Sequence, residues 1–244
     1  QVPSKSYTQV IQERALAKWT KKLSRDGWVE DKEATVLGEP MLLHHWDEYK
    51  DRIRYPALVS PKYNGIRCTF KYDKDNPDNS EHLSRKRNPF GLKELRKQCN
   101  ILGISLDGEL WAEGKALEDI VSMVSLDDRD LKYMVFDMIP PKGSGMGYMT
   151  RLAYLLEKVR GGYFPNVEIV PQAVVKDAEE AEAYFHVIKV MPGVDGAVIR
   201  NTGYEMQLNI RSYDILKMKE VISAEYRCTG MDYDMDPIGK LSKM

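Results

Sequence analysis

Several charged side chains interrupt short apolar stretches that otherwise alternate like β-strands. A single charge of this kind usually lies on a solvated strand face. Several together could supply what a nucleoside triphosphate needs: cations for its phosphates, carboxylates for a divalent metal and the ribose, and the ring of Phe136 to stack on its base. The charged residues are Lys62, Arg67, Arg85, Glu109, Asp137, Asp195, Arg200, Lys217 and Lys219.

The stretch LVSPKYNGIRCTF, residues 58–70, contains Lys62 just before Asn64-Gly65. Asn-Gly is the commonest signal for a two-residue hairpin turn, because both residues tolerate positive φ, and apolar alternation flanks it on both sides. A β-hairpin here would leave Lys62 and Arg67 as ordinary surface charges. The other interpretation, that both belong to a binding site, depends on the rest of the chain.

Strand-like runs dominate the chain from residue 55 onward, and most follow one another without an intervening helix. This order favours an α+β fold with antiparallel sheets over a doubly wound nucleotide-binding fold. Two helical segments begin with a capping residue, Thr150 in one and Asp177 in the other, with Glu180 three residues after Asp177. The predicted helices are 6–24, 116–126, 150–162 and 177–193, and the predicted strands are 57–63, 65–72, 103–112, 131–139, 166–174, 195–201 and 213–219.

Two polar segments are predicted to be loops, residues 72–82 and residues 139–149. The second, IPPKGSGMGYM, has glycines that superficially suggest a phosphate cradle. It lacks the G-x-x-x-x-G-K-[ST] pattern and the strand-to-helix context of G-x-G-x-x-G, so a plain loop is the better interpretation.

Composition indicates a soluble globular protein. The chain has 244 residues, of which 43% are apolar and 30% charged. No apolar run is long enough to span a bilayer and the first residues have no signal-peptide core, so we expect an intracellular, cytoplasmic protein. Three cysteines without a C-x-x-C pair and four histidines cannot form a zinc site, and buried thiols in a reducing compartment are expected. The histidines are interpreted as structural or solvated.

The net charge of −1 is unevenly distributed along the sequence. Basic residues are in excess in residues 1–100, and acidic residues are in excess in residues 101–244. A basic surface could bind a polyanion such as nucleic acid, although an imbalance of this size is also ordinary solvation.

The charged residues occur in six short motifs in a fixed order: KYNGIR, SR, DGEL, VFD, DGAVIR and LKMK. Each motif alone is weak evidence. In this order they resemble the covalent nucleotidyltransferases, the ATP-dependent polynucleotide ligases and RNA-capping enzymes, over roughly residues 55–222. The stretch EPMLLHHW before Lys62 is similar to the one that precedes the nucleophile in ATP-dependent DNA ligases, especially compact bacteriophage enzymes.

The resemblance implies roles around the triphosphate. Lys62 would attack the α-phosphate of ATP and become a lysine-AMP adduct. Lys217 and Lys219 would neutralise the α-phosphate, and Arg211 would contact a phosphate of the nucleotide or the nucleic acid. A free lysine is protonated at neutral pH, and neighbouring cations with a bound Mg²⁺ disfavour that form.

The resemblance also implies roles around the nucleoside. Arg67 and Arg85 would bind phosphate and ribose, and Glu109 the ribose hydroxyls. Phe136 would stack on the adenine. Ser60, two residues before Lys62, lies where the family reads the edge of the base.

Three residues differ from the usual family pattern. Asn64 replaces an aspartate, Asp195 a glutamate, and Arg200 a lysine. Asp195, together with Glu109, is the implied Mg²⁺ ligand, and its side chain is one methylene shorter. The changes call the metal affinity and the rate into question.

The resemblance implies an α+β nucleotidyltransferase fold, the ATP-grasp-like fold of ligase adenylation domains, with two packed antiparallel sheets flanked by helices. We expect an N-terminal helical segment over residues 1–35, the adenylation domain over 36–222 and the start of a truncated OB-fold over 223–244.

The implied activity is that of an ATP-dependent DNA ligase that uses ATP and Mg²⁺, acts on nicked duplex DNA in replication, repair or recombination, and is a monomer. Two alternatives stay open. One is an RNA ligase or capping-type enzyme, and the other is a nucleic-acid-binding relative with weakened catalysis.

Overall fold

A computed structural model describes residues 40–141 and 143–220. The helix expected at 6–24, the N-terminal segment 1–35 and the OB-fold start at 223–244 lie outside these residues. The helices are α1 (Trp46–Tyr49), α2 (Lys93–Leu102), α3 (Leu117–Leu126), α4 (Tyr148–Val159) and α5 (Ala178–Ile188), with short 3₁₀ turns at Lys50–Arg52 and Pro77–Asn79. The strands are β1 (Leu42–His45), β2 (Ala57–Tyr63), β3 (Ile66–Lys71), β4 (Glu81–Ser84), β5 (Pro89–Phe90), β6 (Leu106–Trp111), β7 (Lys132–Met138), β8 (Val167–Ile169), β9 (Ala173–Val175), β10 (Val194–Arg200) and β11 (Arg211–Met218).

The strands form two sheets. Sheet A has the strand order β1-β11-β10-β2-β9, and sheet B has the order β5-β4-β3-β6-β7-β8. All neighbours pair antiparallel except β1 with β11 and β7 with β8, which are parallel. The α+β prediction is therefore confirmed, with one parallel pair at an edge of each sheet.

The two sheets differ in how the chain builds them. Sheet B comes from one continuous stretch, residues 66–169, whereas sheet A combines strands from before and after that stretch. The chain passes from sheet A to sheet B at Asn64-Gly65, and it returns between β8 and β9.

The hairpin expected at Asn64-Gly65 is absent. The turn exists, but β2 pairs with β9 and β10 while β3 pairs with β4 and β6, so the two flanking strands belong to different sheets. A close backbone approach explains the glycine, because a Cβ on Gly65 would lie 2.2 Å from the carbonyl oxygen of Leu110. The Asn-Gly signal predicted the turn correctly, but the predicted pairing of the two flanking strands with each other was wrong.

Each sheet packs its apolar side chains into a core of its own. Sheet B packs against α2 and α3 around Phe70, Leu106 and Ile120. Sheet A packs against α1 and α5 around Val59, Ile199 and Leu216. A third cluster joins residues of sheet A to α4.

The helix predictions were partly correct. Asp177 caps α5 by accepting a hydrogen bond from the Glu180 amide. Thr150 is not a cap, because α4 begins two residues earlier at Tyr148. Helix α2 was not predicted. Among the described helices, none is both long enough and apolar enough to cross a membrane.

Candidate functional site

A pocket lies between the two sheets and is lined by side chains from both. Sheet A and its connections contribute one wall, and β3, β6 and β7 of sheet B contribute the other. Its lining includes Lys62, Arg67, Glu109 and Phe136, four residues that the sequence selected. The full lining is Met41, Leu43, Pro61, Lys62, Tyr63, Arg67, Asp107, Glu109, Phe136, Asp137, Val198, Arg200, Tyr204, Met206 and Ile215.

Lys62 occupies the end of β2, where its ammonium group contacts a carboxylate of the adjacent strand β10. Its Nζ lies 2.7 Å from Oδ2 of Asp195, and Lys219 pairs with the same oxygen. Burial alone would raise the pKa of Asp195, but hydrogen bonds and charges from Lys219 and Lys62 outweigh it and lower the pKa. Asp195 is therefore ionised and bridges the ammonium groups of Lys62 and Lys219.

Lys217, on β11, is a third cation in addition to Lys62 and Lys219. Its pKa is lowered, first by burial and then by the charges of Arg211, Lys219 and Lys62. Cations that repel one another in this way would be stabilised by a bound polyanion. Arg211 is exposed and donates to the backbone carbonyl of Leu43, so its side chain ties β11 to β1.

Two hydrogen bonds hold the segment that leads into Asp195. The carbonyl of Gly193 accepts from the amide of Asn64 (2.9 Å) and from Nε1 of Trp111 (3.2 Å). The carbonyl oxygen of Gly193 thus connects the turn after Lys62, the end of β6 and the segment before Asp195. The side chain of Asn64 itself is exposed.

Arg67 and Asp107 form a bidentate pair in the wall of sheet B. Nε and Nη2 of Arg67 donate to the two oxygens of Asp107 at 2.7 and 2.6 Å. The guanidinium lies 4.6 Å from the ring centroid of Phe136 and covers one face of that ring. The sequence missed Asp107, which lies opposite Thr69 in the register of β3 against β6, whereas Arg67 itself lies opposite Glu109.

Glu109 is half-buried in the same wall. Burial raises its pKa to about 7, although the charges of Arg67 and Lys62 act in the opposite direction. A carboxyl group with this pKa is about half neutral at pH 7, and its neutral form can both donate and accept hydrogen bonds.

Ser60 does not line the pocket. It is fully buried, and its Oγ accepts a 2.6 Å hydrogen bond from Nη1 of Arg200. Arg200 does line the pocket, and its guanidinium lies 5.7 Å from the centroid of Phe136. Arg200, which the sequence analysis named both among the embedded charges and as the replacement of a family lysine, therefore lies between Ser60 and the pocket.

A buried network behind Phe136 was also missed. Arg151 of α4 donates to both oxygens of Asp137 at 2.8 Å, and the hydroxyl of Tyr204 donates to the same carboxylate at 3.0 Å. The hydroxyl of Tyr148 donates to the carbonyl of Phe136 at 2.9 Å. Asp137 had attracted attention as a charge in an apolar strand, but its partners lie on a helix and a loop distant in sequence.

Arg85 is the predicted site residue that lies apart from the others. It is exposed in the turn after β4 and does not contribute to the pocket lining. Its predicted contact with nucleotide stays a prediction.

The carboxylates present fit a magnesium ion only in part. Among the residues that the structure describes, no three His, Cys, Asp or Glu side chains form a metal-binding group. Mg²⁺, however, is commonly held by one or two carboxylates together with substrate phosphates and water. Asp195 and Glu109 are compatible with that kind of site, and not with a closed all-protein cage.

Comparison with known proteins gives one curated relative. DNA ligase of Enterobacteria phage T4 is 24% identical over 247 aligned positions, which cover 78% of this chain and 50% of the phage protein. The chain therefore spans about half the length of that relative. No protein-family model matches the sequence.

Solved structures of DNA ligases share the fold. A Lig E DNA ligase matches with a TM-score of 0.61 and 21% identity, covering 76% of this chain and 70% of the other. The DNA ligase-adenylate of Chlorella virus matches with a TM-score of 0.57 and 22% identity over 75% and 69% of the two chains. The ATP-dependent DNA ligase of bacteriophage T7, in complex with ATP, matches with a TM-score of 0.55 and 17% identity over 74% and 68%. The chain thus resembles DNA ligases in sequence, and it has the nucleotidyltransferase fold of the ATP-dependent DNA ligases.

Proposed function

We propose that this chain is the catalytic core of an ATP-dependent DNA ligase. Lys62 forms a covalent lysine-AMP intermediate, AMP passes to the 5′-phosphate at a nick, and the 3′-hydroxyl then displaces AMP to form the phosphodiester bond. One observation supports this above all: in a fold shared with DNA ligases, Lys62 lies in the pocket between the sheets and contacts the carboxylate of Asp195.

The first step is nucleophilic attack on phosphorus. The neutral amine of Lys62 attacks the α-phosphorus of ATP, the bond from that phosphorus to the bridging oxygen breaks, and pyrophosphate leaves. The ammonium of Lys62 first releases one proton to solvent to give the neutral amine, and the nitrogen releases a second proton to solvent as the phosphoramidate forms. Asp195 orients Nζ through its hydrogen bond, and Lys217 and Lys219 offset the charge that develops on the phosphoryl oxygens.

The remaining wall of the pocket would hold the nucleoside. Phe136 lines the pocket, where its ring would stack on the base, and Glu109 in the same wall would bind the ribose hydroxyls. Asp107 fixes the guanidinium of Arg67 at the side of the nucleotide. Asp195 and Glu109 would hold Mg²⁺, whose charge would neutralise phosphate oxygens when it is bound.

The test is a mass measurement. The full chain, incubated with ATP and Mg²⁺, should gain the mass of one AMP group, and Lys62→Ala should gain none. Lys115→Ala removes an exposed lysine and serves as the matched control, which should be adenylylated like the wild type. An adduct that persists in Lys62→Ala would contradict the proposal, and so would a wild-type chain that never forms one.

The nucleic-acid partner is tested with the adenylylated protein. We propose nicked duplex DNA as the substrate of a monomer that acts in the cytoplasm, the host's if the source is viral. The protein should seal nicked DNA faster than nicked or single-stranded RNA. Preference for RNA would favour an RNA ligase, and duplex binding without any adduct would favour a binding module that has lost the reaction.

A further inference from the structure

Trp111 connects sheet B to sheet A. It is the last residue of β6, two positions after Glu109, and its indole Nε1 donates a 3.2 Å hydrogen bond to the carbonyl of Gly193, just before β10. Gly193 has a φ of +72°, and a Cβ at this position would lie 2.7 Å from the same Nε1. The indole therefore packs directly on bare backbone, and even an alanine at position 193 would push the two apart.

Asp195 lies on a β-bulge opposite Lys62. The pairing of β10 with β2 shifts its register here, which leaves two residues of β10, Asp195 and Gly196, opposite Lys62 alone. A bulge interrupts the regular hydrogen bonds of the ladder and redirects the side chains that it contains. The direction of the Asp195 side chain therefore depends on the contacts that hold the ends of the bulge.

The carbonyl of Gly193 holds the end of the bulge that precedes Asp195. Its two donors come from opposite walls of the pocket, since the amide of Asn64 belongs to the turn after Lys62 and the indole of Trp111 belongs to sheet B. The bond from Asn64 ties the bulge to the strand of Lys62 itself. The bond from Trp111 ties the bulge to the wall that contains Glu109.

We infer that Trp111 is a positioning residue for the transfer of AMP to Lys62. Through the carbonyl of Gly193 it holds the bulge in the place from which Asp195 contacts Nζ of Lys62 at 2.7 Å. The inference rests on the proposed function for the reaction that is positioned. Trp111 is not among the residues that line the pocket, so its loss should affect the rate of transfer and not the binding of ATP.

The kinetic test removes the indole donor and keeps an aromatic ring. Adduct formation by the full chain is timed by intact mass at several concentrations of ATP with Mg²⁺, for wild type and Trp111→Phe. Phenylalanine can keep the packing against Tyr63, whose ring centroid lies 5.0 Å from that of the indole, but it cannot donate to Gly193. The rate at saturating ATP should fall about 3- to 10-fold, as expected for one lost hydrogen bond, and the ATP concentration at half-maximal rate should stay within about twofold.

Trp46→Phe is the matched control. The indole of Trp46 donates to Oε1 of Glu182 at 3.3 Å, so this variant loses a bond of the same kind that does not involve the bulge. It should form the adduct at the wild-type rate.

A pair of glycine variants changes the same contact from the side of sheet A. Gly193→Ala places a methyl group against the indole and should slow adduct formation. Gly161→Ala, at a similar φ of +76°, has nothing within 4 Å of its Cβ position and should leave the rate unchanged.

A double variant shows whether Trp111 acts through Asp195. In Asp195→Asn the carboxylate that the bulge positions is gone, so the further change Trp111→Phe should slow the adduct by less than about twofold. A general structural defect would slow adduct formation by the same factor in both backgrounds. If Asp195→Asn forms no measurable adduct, the comparison of Gly193→Ala with Gly161→Ala decides.

The inference and the proposed function fail in different ways. A wild-type chain that forms no adduct overturns the ligase activity and, with it, the positioning role. An adduct in wild type overturns the positioning role alone if Trp111→Phe keeps the full rate, if Trp46→Phe is slowed equally, if ATP binding weakens as much as the rate falls, or if the double variant loses the full factor again.

Discussion

The carboxyl group of Glu109 responds to burial and to neighbouring charge in opposite ways. Burial favours its neutral form, whereas Arg67 and Lys62 favour its ionised form, and burial prevails with a pKa of about 7. Asp195, also close to Lys62, has its pKa shifted downward because its hydrogen bonds to two lysines are direct. Two acidic residues in one site therefore have different protonation states near neutral pH.

Glu109 should make the unliganded protein less stable as pH rises. Its carboxyl ionises at about 4.5 when unfolded and at about 7 when folded, so between these values the folded state binds more protons. The neutral carboxyl makes its whole contribution to the unfolding free energy below pH 4.5. This contribution, at most about 3 kcal/mol, is lost as pH rises toward 7.

Urea denaturation of wild type and Glu109→Gln at pH 5 and pH 7.5 measures this contribution. The glutamine variant cannot ionise, and other titrating groups cancel in the difference between the two proteins. Relative to Glu109→Gln, the wild type should be less stable at pH 7.5 than at pH 5. A difference that stays constant with pH would show that Glu109 is not protonated in the fold.

The turn between β2 and β3 is the element that joins Lys62 to the opposite wall of the pocket. The amide of Asn64 and the indole of Trp111 both donate to the carbonyl of Gly193. Gly65 lies directly against the backbone of β6. The turn after Lys62 is therefore held against sheet B by the backbone of β6 and by the indole of Trp111.

Substitution of Gly65 should open this contact. In Gly65→Ala, the new Cβ would lie 2.2 Å from the carbonyl oxygen of Leu110 and 2.9 Å from Cγ of Glu109, so β6 or the turn must move. We expect a loss of about 1–3 kcal/mol in unfolding free energy and slower adenylylation. Chemical denaturation and a timed mass assay give the two quantities.

Gly91→Ala is the control for this change, because nothing lies within 4 Å of the position of its Cβ. It should remain within about 0.5 kcal/mol of wild type, as surface substitutions usually do. Equal losses of unfolding free energy in Gly65→Ala and Gly91→Ala would contradict the prediction. They would show that the close approach at Gly65 does not cause the loss.

Periodicity was enough to predict most strands and three of the helices that the structure describes, but not their partners. Alternation in the sequence marks a strand, but in the structure residues 57–61 of β2 and residues 68–70 of β3 are buried in succession. Alternation does not report that one strand joins sheet A and the other sheet B, because pairing depends on residues far away in sequence. Helix α2 was missed among short strands, and β5 has only two residues.

The candidate site was predictable where a residue type carries its own chemistry. Lys62, Glu109 and Phe136 line the pocket as expected. Asp107 and Arg151 were missed because their role is to pair with another charge, and a partner distant in sequence leaves no local signal. The position of Ser60 behind Arg200 depends on the register of β2 against β10, which the sequence did not specify.

Arg151 connects parts of the molecule that are distant in sequence. Beyond its two bonds to Asp137, its Nη1 donates to the carbonyls of Met146 and Tyr204 at 2.6 and 3.1 Å. These carbonyls belong to the segment before α4 and to the segment that leads into β11 of sheet A. The residue is fully buried, so the pair between Arg151 and Asp137 links the two sheets in a low-dielectric environment.

Loss of Arg151 should weaken the whole described fold. Arg151→Met leaves Asp137 buried with the Met138 amide and the Tyr204 hydroxyl as donors but without a cation, and removing one member of a buried ion pair typically costs about 3–5 kcal/mol. Urea denaturation followed by circular dichroism and by tryptophan fluorescence should show one coincident transition, shifted to lower urea. Arg160→Met, at the exposed end of the same helix, should not shift it. Two separated transitions in Arg151→Met would show instead that the sheets unfold independently.

Residues 66–169 are continuous, so one wall of the pocket is a single insertion within the part of the chain that forms the other wall. Lys62 and its partner Asp195 belong to the outer segment, whereas Phe136 and Glu109 belong to the inserted stretch. An exchange of residues 66–169 between relatives would therefore replace the wall that contains Phe136 and Glu109 and leave Lys62 and Asp195 unchanged, provided that the buried contacts of α4 with sheet A and of Arg151 with the carbonyl of Tyr204 are kept.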